Sequence, residues 1–180
     1  MTEKFEINED LYKNHENRPD LAGEHPFGDP LQLIFLIIFL SANLLDFFFF
    51  HTYSMLISKI NFFIRLPIGL TFIAFGTWFA LRGIKIVFKD LRPEPIMITE
   101  GMFSVVRHPI YLGAMIVYIG VLTLTLSCIG GLAFVFVAIL YNWLARHEEE
   151  LMIGTFGKPY RDYISHVPMW LPKVFKFPKR

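Results

Sequence analysis

Apolar residues in this chain gather into four long runs, each closed by prolines, glycines or charges. The runs approach the length of about 20 residues at which a helix crosses the hydrocarbon core of a bilayer. The pattern therefore predicts four transmembrane helices, over about residues 31–50, 66–88, 109–127 and 132–145. Residues 51–65 form a short connection, and Pro67 suits the first turn of the second helix, where its missing N–H would be unpaired in any case. Residues 90–108 read as a polar loop in which Arg92-Pro93-Glu94-Pro95 is extended. The third helix starts at Pro109. Gly130-Gly131 permits a tight reversal into the fourth, so the last two helices make an antiparallel hairpin. Two polar segments flank this core. Residues 1–29 form an acidic, proline-broken tail, expected to be mostly disordered with a short helix around Phe5–Tyr12. Residues 146–180 begin as an amphipathic helical segment and are then broken by Pro168, Pro172 and Pro178. The expected fold is an all-α integral membrane protein, with one domain over residues 30–180.

Composition agrees with that reading. Of 180 residues, 54% are hydrophobic and 18% charged, too apolar for a soluble domain of ordinary make-up. No charged start, short apolar core and small-residue cleavage site follow Met1, so no removable signal peptide is expected. The single cysteine, Cys128, leaves no internal disulfide and no cysteine-rich metal site, and packs as a small apolar residue. Charge sets the orientation. With four spans, fifteen lysines and arginines share one side, against Lys59 and Arg65 on the other. The positive-inside bias then places both termini in the cytoplasm, at a bacterial inner membrane or a eukaryotic endoplasmic reticulum.

Candidate chemistry sits at two exits from the membrane on that face. Arg107-His108-Pro109-Ile110-Tyr111-Leu112-Gly113 opens the third run, and Arg146-His147-Glu148-Glu149-Glu150 follows the fourth. A helix start with Pro109 in its first turn favours an anionic group, and the Arg107 fork can hold a carboxylate or phosphate. The alternative is an arginine anchored among lipid headgroups with His108 beside it. Three consecutive glutamates ordinarily form a solvated face, with Glu150 one turn from Arg146. A functional role requires at least one of them to turn inward. Tyr160 and Tyr163 share one face of the following segment, as interfacial anchors or as part of a site. Asp46, an acid inside the first run, is a functional suspect by default. It lies close to the opposite membrane face, which favours a structural role.

Taken in order, these segments resemble the isoprenylcysteine carboxyl methyltransferase superfamily, which includes the phospholipid methyltransferases. The resemblance rests on Glu100-Gly101-Met102-Phe103, on Arg107-His108-Pro109-Ile110-Tyr111-Leu112-Gly113, and on Glu148-Glu149 followed by Phe156-Gly157, Tyr160 and Tyr163. It covers roughly residues 95–175. It implies a pocket for S-adenosyl-L-methionine at the cytoplasmic surface, formed by the C-terminal hairpin and the helical segment after it. By position, Gly101, Arg107, His108, Pro109, Tyr111, Gly113, Glu148, Glu149, Tyr160 and Tyr163 would bind the cofactor. Arg107, His108, Arg146 and Glu149 would take part in the reaction. Two departures stand out. Position 147 is His where relatives often carry Arg, which leaves open whether Arg146 or His147 handles the substrate. Position 103 is Phe where Tyr is frequent.

The implied reaction is methyl transfer to a lipophilic or membrane-partitioned acceptor, an isoprenylcysteine-like carboxylate being the leading case. Phospholipid amines and small thiols are alternatives. An ionised carboxylate needs no base, whereas a thiol or amine must lose a proton, for which His108 and His147 are candidates. The partners are thus a membrane and a lipid or lipophilic small molecule, with no metal or nucleic acid. Two other classes share parts of this pattern. NADPH-dependent sterol reductases have a similar C-terminal half but are usually longer, and a non-catalytic membrane protein need not keep both motifs intact.

Overall fold

The structure, a computed structural model, describes residues 28–52, 60–88 and 94–172. The acidic tail with its expected short helix, and Arg92 and Pro93, lie outside the described residues. Five α-helices follow in order: α1 (Gly28–Leu45), α2 (Phe62–Val87), α3 (Pro109–Thr125), α4 (Cys128–Phe156) and α5 (Lys158–His166). A π-helical turn, Asp46–Phe50, extends α1, and a 3-10 turn, Gly101–Ser104, precedes α3. Three segments, Gly28–Phe50, Phe62–Val87 and Cys128–Phe156, are long and apolar enough to cross a membrane. The fourth, α3, is a shorter apolar helix of 17 residues. Leu33, Phe49, Phe63, Leu70, Leu132 and Ile139 are all exposed, a surface suited to lipid rather than water. The architecture is that of an all-α integral membrane protein.

Helix boundaries follow caps more than prolines and glycines. Helix α2 starts at Phe62 because the Asn61 side chain caps it, accepting from the Phe63 N–H at 2.8 Å. Pro67 therefore falls inside the helix rather than in its first turn. The reversal between α3 and α4 lies at Leu126, left-handed with φ 53°, and Ser127, whose hydroxyl accepts from the Gly130 N–H at 2.8 Å. Gly130 and Gly131 are thus the first turn of α4 and not the reversal itself. Gly130 leaves room for the Asn43 amide, which would lie 2.5 Å from an added Cβ.

The helix nearest to α3 is α2. Gly69 and Gly76 on α2 meet Gly120 and Gly113 on α3, and Gly83 meets Pro109 and Ile110, the two helices running antiparallel. A Cβ on Gly76 would stand 2.6 Å from the Gly113 carbonyl oxygen, and one on Gly113 would stand 2.6 Å from the Ala80 nitrogen. Such backbone approach is how helices associate where lipid tails are as apolar as leucine. Between α1, α3 and α4 lies an aromatic-rich core of Phe39, Tyr118, Val137, Leu140, Tyr141 and Leu144, with Phe39 edge-on to Tyr118 at 4.6 Å.

At the end opposite the charged motifs, polar groups close the turns. Asp46 is fully buried, and its carboxylate accepts from the Thr52 N–H at 2.8 Å and the Thr52 hydroxyl at 2.5 Å. Thr52 Oγ1 in turn accepts from the Cys128 N–H at 3.3 Å. Asp46 thus ties the turn after α1 to the start of α4. Arg65, also buried, donates to the Leu124 carbonyl at 2.7 Å, satisfying one of the last carbonyls of α3.

Gly76→Ala is expected to destabilise the protein by about 1–3 kcal/mol, because backbone and not a flexible side chain blocks the new methyl. Gly154→Ala on α4, where nothing lies within 4 Å of the added atom, serves as the control and should be neutral or slightly stabilising. Thermal unfolding of both variants in detergent checks the contrast.

Candidate active site

The N-terminus of α3 and the upper part of α4 meet in a closed cluster of charges. Pro109 occupies the first position of α3 and fixes its start, so Arg107 and His108 are held just outside the helix. Helix α4 runs without a break from the aromatic core through the glutamates to Phe156. Its seven-residue spacing puts Glu148 two turns above Tyr141, on the core-facing side. Arg107 Nη1 donates to Glu149 Oε2 at 3.0 Å, with both side chains nearly buried. His108 Nε2 lies 3.0 Å from Glu149 Oε1, and its Nδ1 lies 3.4 Å from Glu148 Oε2. The Tyr111 hydroxyl donates to Glu148.

A neutral imidazole carries one N–H, yet both ring nitrogens of His108 face carboxylate oxygens. Only the imidazolium can donate to both. Burial works against that charge, but the hydrogen bonds and charges of Glu148 and Glu149 outweigh it and raise the His108 pKa above its ordinary 6.5. Arg107 and protonated His108 then balance the two glutamates, a neutral set in a mostly water-free place.

Helix α5 covers the cluster. Tyr160 is buried, and Tyr163 donates to the Phe103 carbonyl at 2.6 Å. Phe at position 103 thus still supplies an acceptor, through its backbone. Burial leads in raising both phenols, Tyr163 to about 12, so both stay protonated in the physiological range. Beyond α5 the chain turns back: the Arg107 N–H donates to the Pro168 carbonyl at 3.0 Å, and Trp170 Nε1 donates to Asn142 Oδ1 at 3.3 Å.

Among the candidate residues, the structure brings together Arg107, His108, Tyr111, Glu148 and Glu149, with Tyr160 and Tyr163 close by. It leaves others apart. Gly113 is packed into the α2–α3 contact, and Gly101, with φ 60°, sits against Ile86 of α2. Arg146 and Glu150 are exposed and outside the cluster, while His147 stacks on Trp143 at 6.1 Å. Sequence reasoning missed Tyr141, which stacks on Tyr111 at 5.1 Å, and Trp170 with its partner Asn142. The position of Tyr141, seven residues before Glu148, was a readable sign; nothing in the sequence marked Trp170.

Residues 64–159, more than half of the chain, match the model of the phospholipid methyltransferase family. The chain belongs to this family. A methanethiol S-methyltransferase of Pseudomonas deceptionensis is 30% identical over 105 residues, covering 56% of this chain and 39% of the relative. A protein-S-isoprenylcysteine O-methyltransferase B of Arabidopsis thaliana is 31% identical over 81 residues, covering 43% of this chain and 40% of the relative. The chain thus spans about two fifths of the length of these curated relatives. No solved structure matches it. Both charged motifs of this phospholipid methyltransferase family member fall inside the matched residues, whereas Tyr163 and Trp170 fall beyond them.

The cluster sets a pH dependence. A raised pKa means that His108 contributes stability in full below its ordinary 6.5, and that this contribution is lost as pH rises through the raised value. Thermal stability in detergent should therefore fall as pH rises above 6.5. His108→Gln should be less stable at low pH and show a flatter profile over the same range.

Proposed function

We propose that the chain is a membrane-embedded methyltransferase that binds S-adenosyl-L-methionine at the Arg107–His108–Glu148–Glu149 cluster. The observation that carries this reading is the meeting of both motifs in one buried cluster holding two fixed carboxylates and an incompletely used guanidinium. Arg107 Nε is buried and has no hydrogen-bond partner among the described residues. An orphaned cationic donor beside two carboxylates fits a zwitterionic, cationic ligand, and such a cofactor supplies an activated methyl group on its sulfonium. Arg107 would take the ligand carboxylate, and Glu148 and Glu149 its positive groups. Tyr160 and Tyr163 would cover the site and exclude water. The protein's part is binding, alignment and dehydration.

The site would lie at the cytoplasmic surface, since the helix ends that carry it also carry most of the lysines and arginines. The acceptor would reach it from the membrane, with an isoprenylcysteine-like carboxylate as the leading case. The similarity to a methanethiol S-methyltransferase supports a second reading, transfer to a small thiol. The two differ in their demand on His108. A carboxylate is already ionised, while a thiol needs a base, and His108 can accept a proton only after giving up the one it holds between the glutamates.

Purified protein in detergent is expected to bind S-adenosylmethionine and S-adenosylhomocysteine saturably, and not NADPH. Glu148→Ala and Arg107→Ala should weaken that binding about tenfold to a hundredfold, the worth of a charge-assisted hydrogen bond. Titration calorimetry reads both numbers. Absence of binding by a well-folded wild-type preparation overturns the proposal. Labelled-methyl transfer to farnesylcysteine, phospholipid amines and small thiols then separates the acceptor classes.

A further inference from the structure

His108 is enclosed on four sides. Its two ring nitrogens face Glu149 at 3.0 Å and Glu148 at 3.4 Å. The Tyr111 ring lies parallel to it, 5.9 Å away and tilted by only 6°. The remaining wall is Trp170, with its ring 5.8 Å from the imidazole at 40°. Three of these walls come from α3 and α4. Trp170 comes from the segment beyond α5, outside the residues that match the family, and its indole N–H is spent on Asn142 of α4 at 3.3 Å. The Arg107 N–H to Pro168 hydrogen bond, 3.0 Å, holds the same segment down two residues earlier.

We propose that Trp170 is a positioning residue for His108: latched to Asn142, its indole forms the fourth wall of the imidazole's enclosure and keeps the ring aligned with both glutamates. An aromatic wall on an imidazolium does two things. It offers a cation–π contact, and it keeps water from screening the ring from its carboxylates. The ionisable groups that face His108 are Glu148 and Glu149 from α4 and Tyr111 from α3; Arg107, next to it in the chain, pairs with Glu149, and Tyr160 of α5 acts on the same two glutamates. None of these can stand in for the indole wall. The importance of that alignment for methyl transfer rests on the donor-site reading above, but the positioning itself does not.

Trp170 also packs against the aromatic core, so loss of stability alone would say nothing about His108. The titration of His108 does. With the wall removed, the ring loses its cation–π contact and its alignment on both carboxylates; this loss outweighs the relief of burial, which acts the other way, and the midpoint falls back toward the ordinary value. The full chain, labelled with ¹⁵N-histidine in detergent, is titrated by NMR without ligand, the His108 signal being assigned by its absence in His108→Gln. Trp170→Leu should lower the midpoint by about half a pH unit or more. Trp170→Phe, which keeps a ring, should restore most of it, and Asn142→Ala should give a smaller shift in the same direction. A wild-type midpoint in folded Trp170→Leu overturns the proposal. If that variant does not fold, a wild-type midpoint in Asn142→Ala does so. S-adenosylhomocysteine binding is measured on the same samples: if wild type binds none, the donor-site reading fails while the titration still decides the role of Trp170.

Discussion

The ion cluster joining Arg107 and His108 to Glu148 and Glu149 is the constraint around which the rest of the molecule is arranged. Moving a single carboxylate or guanidinium into a dry, low-dielectric setting carries an idealised penalty of order 20 kcal/mol, reduced in real proteins but still several. Four such groups at the end of an apolar bundle are tolerable only when they face one another. They do so here with nearly matched charge, and with hydrogen bonds on Glu148 from Tyr111 and on Glu149 from Arg107. Removing one partner would strand the others, which makes the cluster a strong fixative for the relative placement of α3 and α4. The same property suits it to a ligand. The carboxylates are held in place before any ligand arrives, so little ordering remains to be done on binding.

Everything below the cluster serves that placement. Glycines bring the α2 and α3 backbones into direct contact, which fixes the tilt and height of α3 and hence of Arg107 and His108. Tyr111 then stacks on Tyr141, and Tyr118 packs against Phe39, so an aromatic column runs from the ion cluster to α1. At the far end, Arg65 closes α3 and Asp46 closes the turn beside α4. Among the described residues, the buried charged groups are thus gathered at the two ends of the apolar body, and each end holds helix termini together. Each end holds a buried guanidinium nitrogen without a partner among the described residues, Arg65 Nε and Arg107 Nε, but among those residues paired carboxylates stand beside Arg107 alone.

Much of this was legible in the sequence because the strongest signals are physical and local. Run length fixed the number of apolar helices, and Pro109 marked the start of α3. The continuation of the last apolar run into Glu148 and Glu149 placed both on one helix with the core. Asp46 likewise has the structural role that its place near the opposite face suggested. Boundaries were harder. Pro67 looked like a helix start, but the Asn61 cap acts earlier; Gly130-Gly131 looked like a reversal, but Leu126 takes the left-handed conformation that glycine usually supplies. Trp170 was invisible because its partners, His108 and Asn142, are distant in the chain, and no periodicity links them. Arg146 stood out through the family resemblance, one residue before a position where relatives often carry Arg, and its exposed place on α4 leaves it outside the cluster.

The most direct test of the account is to irradiate the detergent-solubilised chain with methyl-labelled S-adenosylmethionine and map the covalent label by mass spectrometry. Label is expected in peptides containing Arg107–Tyr111, Glu148–Glu149 or Tyr160–Tyr163, competed away by S-adenosylhomocysteine. Competable label confined to the opposite end, around Asp46 or Arg65, or no competable label on folded protein, would contradict it.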